Sequence, residues 1–60
     1  MQVKKTVTLH GKVISETVYN TIVGPGQTVK LIGTDTYLPN ASIGSSFTTA
    51  PGKVITWTKQ

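Results

Sequence analysis

The sequence predicts a small all-β domain, either a barrel or a two-layer sandwich of five to six short antiparallel strands. Three observations carry this prediction. Valine, isoleucine and threonine make up 23 of the 60 residues, and these β-branched side chains favour strands. The pattern Thr-Val-x-Leu-x-Gly occurs twice, at residues 6–11 and 28–33, and each copy alternates like a strand that a glycine ends. Signals for tight turns separate the apolar runs at short intervals, which is typical of small β-domains.

The first strand is expected at residues 3–9. Val3, Val7 and Leu9 recur at a period that places them on one face, whereas most residues between them are polar and suit the solvent. Gly11 follows directly and permits a turn. The segment therefore has the pattern of a half-buried strand.

The next segment, 13–23, fits two secondary structures. As a helix it would carry Ile14, Val18 and Ile22 in one stripe, and as a strand the same three residues share one face. The other face of that strand would carry Val13, Tyr19 and Val23. Threonine and valine lose side-chain freedom in a helix, so a strand is favoured, either continuous or divided in two by a bend near Asn20.

The sequence Gly-Pro-Gly at 24–26 is the sharpest turn signal of the chain, and a third strand is expected after it. In that strand Val29 and Leu31 face inward. The stretch 34–46 is irregular, and we expect one short edge strand around Tyr37 with a loop after it. A connection of this length is often functional, which is the competing interpretation.

A hairpin ends the chain, with strands expected at 46–49 and 54–58 around a proline-glycine turn of type II. Ile55 and Trp57 share one face of the second strand. Trp57 is expected to be the largest side chain of the core. Phe47 is also assigned to the core, because the chain has only four aromatic residues with which to fill it.

The size of the chain bounds its stability. Sixty residues form one domain, 1–60, and a chain of this length buries only about 60% of the surface that its unfolded form exposes. Disulfides are excluded because cysteine is absent, and His10 is the only soft metal ligand besides Met1. Among the devices that stabilise small domains, association with copies or with a larger assembly remains.

The residues needed for catalysis are scarce. The chain contains one histidine, one aspartate and one glutamate, namely His10, Asp35 and Glu16, and no serine lies in the glycine pattern of a nucleophile elbow. The glycines at 24–26 lack the Lys-Ser/Thr ending of a phosphate-binding loop. We therefore expect no enzymatic activity, no catalytic, metal-binding or cofactor-binding residues and no small-molecule substrate.

The charge is basic and carried by lysine alone. Six lysines oppose two carboxylates, for a net charge of +4, and arginine is absent. Because arginine is the residue that reads bases and forks onto phosphates, a nucleic-acid binder of this composition would bind single strands without sequence preference. Lys4, Lys12 and Lys30 are the candidate contacts for this alternative. The favoured interpretation is that the lysines keep strand edges soluble.

The low charge content favours a structural role. Charged residues are 13% of the chain, against about 25% in an average soluble domain. We expect a homo-oligomer or a protein that docks on a larger particle, and the composition is typical of bacteriophage virion components such as capsid decoration, head-completion or tail proteins. The candidate partner contacts are Lys30, Ile32, Tyr37 and Leu38.

The N-terminal segment and the hydropathy bear on localisation. Residues 1–6 lead into no apolar core of a signal peptide, so we expect cytoplasmic synthesis without one, with the virion as a destination. No apolar run approaches the roughly 18 residues that a membrane span requires, so no membrane association is expected.

Overall fold

In the computed structural model, which describes all 60 residues, six antiparallel strands form one curled sheet, a half-barrel. The strands are β1 (Gln2–Leu9), β2 (Lys12–Val23), β3 (Thr28–Leu31), β4 (Tyr37–Pro39), β5 (Ser46–Ala50) and β6 (Lys53–Lys59). Their order across the sheet is β4-β3-β2-β1-β6-β5, and one 3-10 turn, Asn40–Ser42, follows β4. The predicted all-β antiparallel class is confirmed. No helix in the structure has the length and apolar character needed to cross a membrane.

The two faces of the sheet differ in character. The inner face carries the buried side chains, among them Val3 and Val7 of β1, which alternate with outward residues as a strand requires. The outer face carries Lys4, Thr6 and Thr8 of the same strand. The register of β1 with its neighbours on both sides extends this division across the sheet. The predicted period of two is therefore confirmed.

The core is a cluster of Val3, Leu31 and Trp57, and the last of these is 9% exposed. These residues come from β1, β3 and β6. In a flat sheet β3 and β6 would lie roughly 14 Å apart, three strand spacings, so their side chains could not share a cluster. The curl of the sheet brings them together around Val3. Four partly buried side chains pack on this cluster, namely Tyr19, Leu38, Ile43 and Ile55.

The irregular connection between β4 and β5 closes over this cluster. Main-chain bonds hold it to β6, because the Gly44 N–H donates to the Trp57 carbonyl at 2.7 Å and the Trp57 N–H donates to the Ser45 carbonyl at 3.1 Å. Ile43 thereby reaches the core. The expected short edge strand around Tyr37, followed by a loop, is confirmed.

Strand β2 is continuous, which settles the ambiguity of segment 13–23 in favour of a strand. It pairs with β1 over residues 12–20 and with β3 over residues 21–23. A β-bulge interrupts the first pairing, because Val7 lies opposite Ser15 and Thr8 opposite Val13, which leaves Ile14 without a partner. The bulge adds one residue to the strand. The residues before it therefore point to the face opposite to the one that strict alternation would assign them.

This reversal corrects one expectation. The alternation of the sequence placed Val13 with Tyr19, whereas the register places it on the outer face, opposite Thr8. Val13 thus joins Val18, which lies opposite Lys4 on the same face. A period of two counted along the sequence cannot detect an inserted residue, because the bulge appears only in the pairing.

Two hairpin turns meet at one end of the sheet. His10 and Gly11, between β1 and β2, both have positive φ, 50° and 82°, as a two-residue type I′ turn requires. Gly52, between β5 and β6, has a φ of 76°, which fits the third position of the predicted type II turn. The His10 N–H donates to the Gly52 carbonyl at 2.7 Å, and a Cβ on Gly52 would overlap the His10 ring.

These contacts make Gly52 less replaceable than Gly11. A Cβ on Gly11 meets no atom within 4 Å, so Gly11→Ala suffers only backbone strain, of about 1 kcal/mol. In Gly52→Ala the exposed His10 ring must also turn aside, and the loss in free energy of unfolding is expected to exceed that of Gly11→Ala by about 1 kcal/mol. Urea unfolding followed by circular dichroism measures both variants. Equal losses would contradict the close contact of the His10 ring with Gly52.

Candidate interaction surfaces

More large apolar side chains lie exposed on this protein than are buried in it. The buried apolar residues are Val3, Val7, Val29, Leu31 and Trp57. The exposed ones are Met1, Leu9, Val13, Ile14, Val18, Ile22, Val23, Ile32, Tyr37 and Phe47. Single exposed apolar residues are ordinary, whereas apolar side chains that adjoin one another on a surface mark interaction sites. The sheet register decides which of them adjoin.

One such group lies on the outer face and contains predicted contacts. The register places Ile22 of β2 opposite Lys30 of β3, and Lys30 opposite Tyr37 of β4. Ile22 and Tyr37 are each about half exposed, and the lysine lies between them. We call Ile22, Lys30 and Tyr37 the outer row. It combines an aromatic ring, an aliphatic side chain and one positive charge.

The other two predicted partner contacts are placed differently. Ile32 directly follows β3, is half exposed, and its N–H donates to the Asn20 carbonyl at 2.9 Å. Leu38 lies opposite Val29 on the inner face and packs against the core. The structure thus separates Leu38 from Lys30 and Tyr37, since neighbouring residues of a strand point to opposite faces.

The three lysines of the nucleic-acid alternative do not form one patch. Lys12 begins β2, and Lys30 lies opposite Ile22 near its end, so about 33 Å of strand separates their positions. Lys4 lies between them and pairs with Glu16, with 3.3 Å between Nζ and Oε2. Both members of this pair are partly exposed, so the pair adds little stability and offsets one positive charge locally.

A second apolar group lies on the inner face and was missed. Phe47 of β5 lies opposite Ile55 of β6, and Ile55 lies opposite Val7 of β1. We call Phe47, Ile55 and Val7 the inner row. Phe47 is 46% exposed, so its assignment to the core is wrong. The core cluster occupies the other end of the inner face, where the β4–β5 connection covers Trp57 but does not extend over Phe47.

A signal for the exposure of Phe47 existed in the sequence. Residues 46–50 contain no large apolar side chain except Phe47. In the structure all five of these residues are exposed. A strand with a single large apolar residue cannot bury a face. The assignment relied instead on the scarcity of aromatic residues, and aromatic residues are frequent at interfaces as well as in cores.

Lys5 shields Trp57 on the inner face. Its amine lies 5.8 Å from the centroid of the Trp57 ring, within the range of a cation–π contact, and the two residues are register partners. The centroid of the Tyr19 ring lies 6.5 Å from that of the Trp57 ring, at an interplanar angle of 43°. The charged end of Lys5 thus stays at the boundary between the core and the open part of the inner face.

A cleft of about 340 Å³ opens at the end of β2 and β3. Its apolar lining is Met1, Val23 and Val29, and the remaining lining residues are uncharged. The Thr21 side chain on its wall donates to the Met1 carbonyl at 2.7 Å, so its hydroxyl is already used. The ionisable side chains lie elsewhere, and no three metal-ligating side chains come together.

Comparison with known proteins adds no family to this geometry. No family model matches the chain, and neither a curated protein nor a solved structure is significantly similar to it.

Trp57 and Phe47 both lie on the inner face but are buried to different degrees. Replacing each by alanine is therefore expected to lower the free energy of unfolding by different amounts. Trp57→Ala is expected to lower the free energy of unfolding by about 3–5 kcal/mol, which is enough to unfold so small a domain. Phe47→Ala removes a half-exposed ring and is expected to cost less than about 1 kcal/mol. Far-ultraviolet circular dichroism during thermal unfolding, at low protein concentration, measures both. A comparable loss in the two variants would contradict the exposed position of Phe47.

Proposed function

We propose that this protein is a non-enzymatic structural protein that acts by associating with copies of itself or by docking on a larger particle. The observation that carries the proposal is the excess of exposed over buried large apolar side chains. Ten are exposed, and five apolar residues are buried. Contact with a partner removes such a surface from water, which lowers the free energy by about 25 cal/mol per Å² of apolar area buried.

The dimensions of the molecule agree with this role. The accessible surface of the chain is 3991 Å². A standard interface covers about 800 Å² on each partner, which is about one fifth of that surface. The outer row and the inner row lie on opposite faces of the sheet, so two different contacts can form at once. One of them serves self-association, and the other is available to a larger particle.

Within this proposal, a bacteriophage virion component is the form that the composition favours, as a capsid decoration, head-completion or tail protein. Its support is the low charge, the threonine-rich surface and the small size of the chain. In this form we expect the protein to sediment with purified virus particles and to be released only by conditions that disassemble them.

Self-association is tested by the mass of the protein in solution. We expect sedimentation equilibrium, over a range from about 1 to 500 µM, to give a mass that rises above the 6.4 kDa of the single chain. The thermal midpoint is expected to rise over the same range, because association stabilises the folded state. A chain that remains monomeric throughout would overturn self-association and leave docking on a larger particle as the remaining form.

The second candidate function is non-specific binding of single-stranded nucleic acid, and the outer row favours it. There a half-exposed tyrosine lies opposite a lysine, and a stacking ring beside a cation is the combination that binds single strands. Lys4 lies on the same face, whereas Lys12 is too distant to join the same contact.

Fluorescence anisotropy of a labelled oligothymidylate measures this second candidate. Binding is expected to weaken with salt, and Lys30→Ala is expected to lower the slope of log affinity against log salt by about one. Lys59→Ala, at the end of β6, is the matched control, because it removes the same charge at a distance from the outer row. Equal losses from the two variants would indicate attraction by net charge without a site.

A further inference from the structure

The outer edge of β5 offers main-chain groups that no residue of the chain uses. Trp57 directs its N–H and carbonyl toward the β5 side of β6, as its bonds to Ser45 and Gly44 show. Main-chain groups alternate in direction along a strand, so Ile55 points the same way and bonds Phe47, its register partner. It follows that Ser46 and Thr48 direct their N–H and carbonyl groups to the open edge.

The side-chain contacts of β5 agree with this direction. In antiparallel sheets, side chains approach most closely at the pairs that do not exchange main-chain bonds. Ser46 lies opposite Thr56 in the register, and their hydroxyl oxygens are 2.9 Å apart. That pair is therefore of the non-bonded kind, which leaves the Ser46 main chain free to bond a further strand.

The other two open edges carry protection that β5 lacks. Strand β4 has three residues and ends in a proline, which cannot donate a main-chain bond. The free part of β2, before residue 21, contains the bulge at Ile14 and the charged pair of Glu16 with Lys4. Natural proteins use short length, prolines, bulges and charges to keep edges from pairing. Strand β5 has a bulge beyond Thr48 but no charge and no internal proline.

We propose that two copies of this chain pair through the open edge of β5, antiparallel, with Phe47 of one copy opposite Phe47 of the second. The inference rests on the proposed self-association and names the surface that performs it. In this register Ser46 of each copy lies opposite Thr48 of the other, and the two pairs exchange four main-chain hydrogen bonds. The product is a continuous twelve-stranded sheet with two-fold symmetry, in which the same edge serves both copies.

The register also joins the apolar surfaces. Phe47 lies on the inner face beside Ile55 and Val7, so pairing places the inner rows of the two copies end to end. The two Phe47 rings then occupy a non-bonded cross-strand position, the closest in an antiparallel sheet, where aromatic pairs are favourable. Six apolar side chains form one row across the join, and the half-exposed ring loses its contact with water.

The absence of charged side chains along β5 suits this edge to pairing with a second copy. Two copies that each carry a net charge of +4 repel one another at a distance. Residues 36–52 contain no charged side chain, the longest such run of the chain, and β5 lies within it. Two identical edges meet there without like charges opposite each other, which would be destabilising.

A disulfide measures the register directly, because the chain has no cysteine of its own. In the proposed pairing the two Cα atoms at position 47 lie about 4.5 Å apart, within the range that a disulfide spans. Phe47→Cys is therefore expected to give a covalent dimer of twice the chain mass under mild oxidation. Thr17→Cys is the matched control, since Thr17 is an exposed inner-face residue at the equivalent position of the free β2 edge.

Charge introduced at the edge tests the same contact without a cross-link. Thr48 is exposed and its side chain lies on the outer face, so Thr48→Lys leaves the single chain folded. We expect it to raise the concentration for half-association about tenfold or more, because the two introduced charges then lie at diagonal positions across the join, about 7–8 Å apart, and repel each other. Thr17→Lys is expected to leave that concentration unchanged.

The outcomes separate this inference from the function on which it rests. Selective cross-linking of Phe47→Cys, together with loss of association in Thr48→Lys, supports pairing through β5. If the unmodified chain associates but Phe47→Cys cross-links no faster than Thr17→Cys, pairing through β5 is overturned and self-association stands. If the unmodified chain stays monomeric at all concentrations, self-association is overturned with it.

Discussion

The cluster of Val3, Leu31 and Trp57 is the contact on which the rest of the structure depends. It joins strands that a flat sheet would hold three spacings apart, so the sheet must curl for the cluster to form. The β4–β5 connection closes over Trp57 and is held there by two main-chain bonds to that residue. The single sheet has no second layer to cover its inner face, so the cluster occupies only the end of that face over which the β4–β5 connection closes.

The open end of the molecule follows from the same limit. Beyond the cluster, the long β1–β2 hairpin and the β5–β6 hairpin continue without a covering layer, and their turns support each other where His10 bonds Gly52. Phe47 is left half exposed there. The curled sheet does not close, since β4 and β5 remain at its two ends. Incomplete closure therefore produces both the exposed Phe47 ring and the free strand edges.

These features bear on function through one physical argument. The proposed function rests on the apolar rows, the free main-chain groups and the low charge of this chain. In the proposed association, a second protein surface would remove the apolar side chains from water and bond the free main-chain groups. Pairing at β5 would use the free main-chain groups and the inner row together, which leaves the outer row, with Lys30 and Tyr37, for a different partner.

The strands and turns could be predicted from the sequence, whereas the pairing of strands distant in the chain could not. Alternation and β-branched residues predicted β1, β3 and β6, glycine and proline predicted the turns, and the repeated Thr-Val-x-Leu-x-Gly marked two strands that glycines end at positive φ. These features depend on a few adjacent residues. The bulge at Ile14, the exposure of Phe47 and the separation of Leu38 from Tyr37 and Lys30 depend on which strands meet and how the sheet curls. Those relations join residues distant in the chain, so the folded sheet alone sets them and, with them, the surfaces open to a partner.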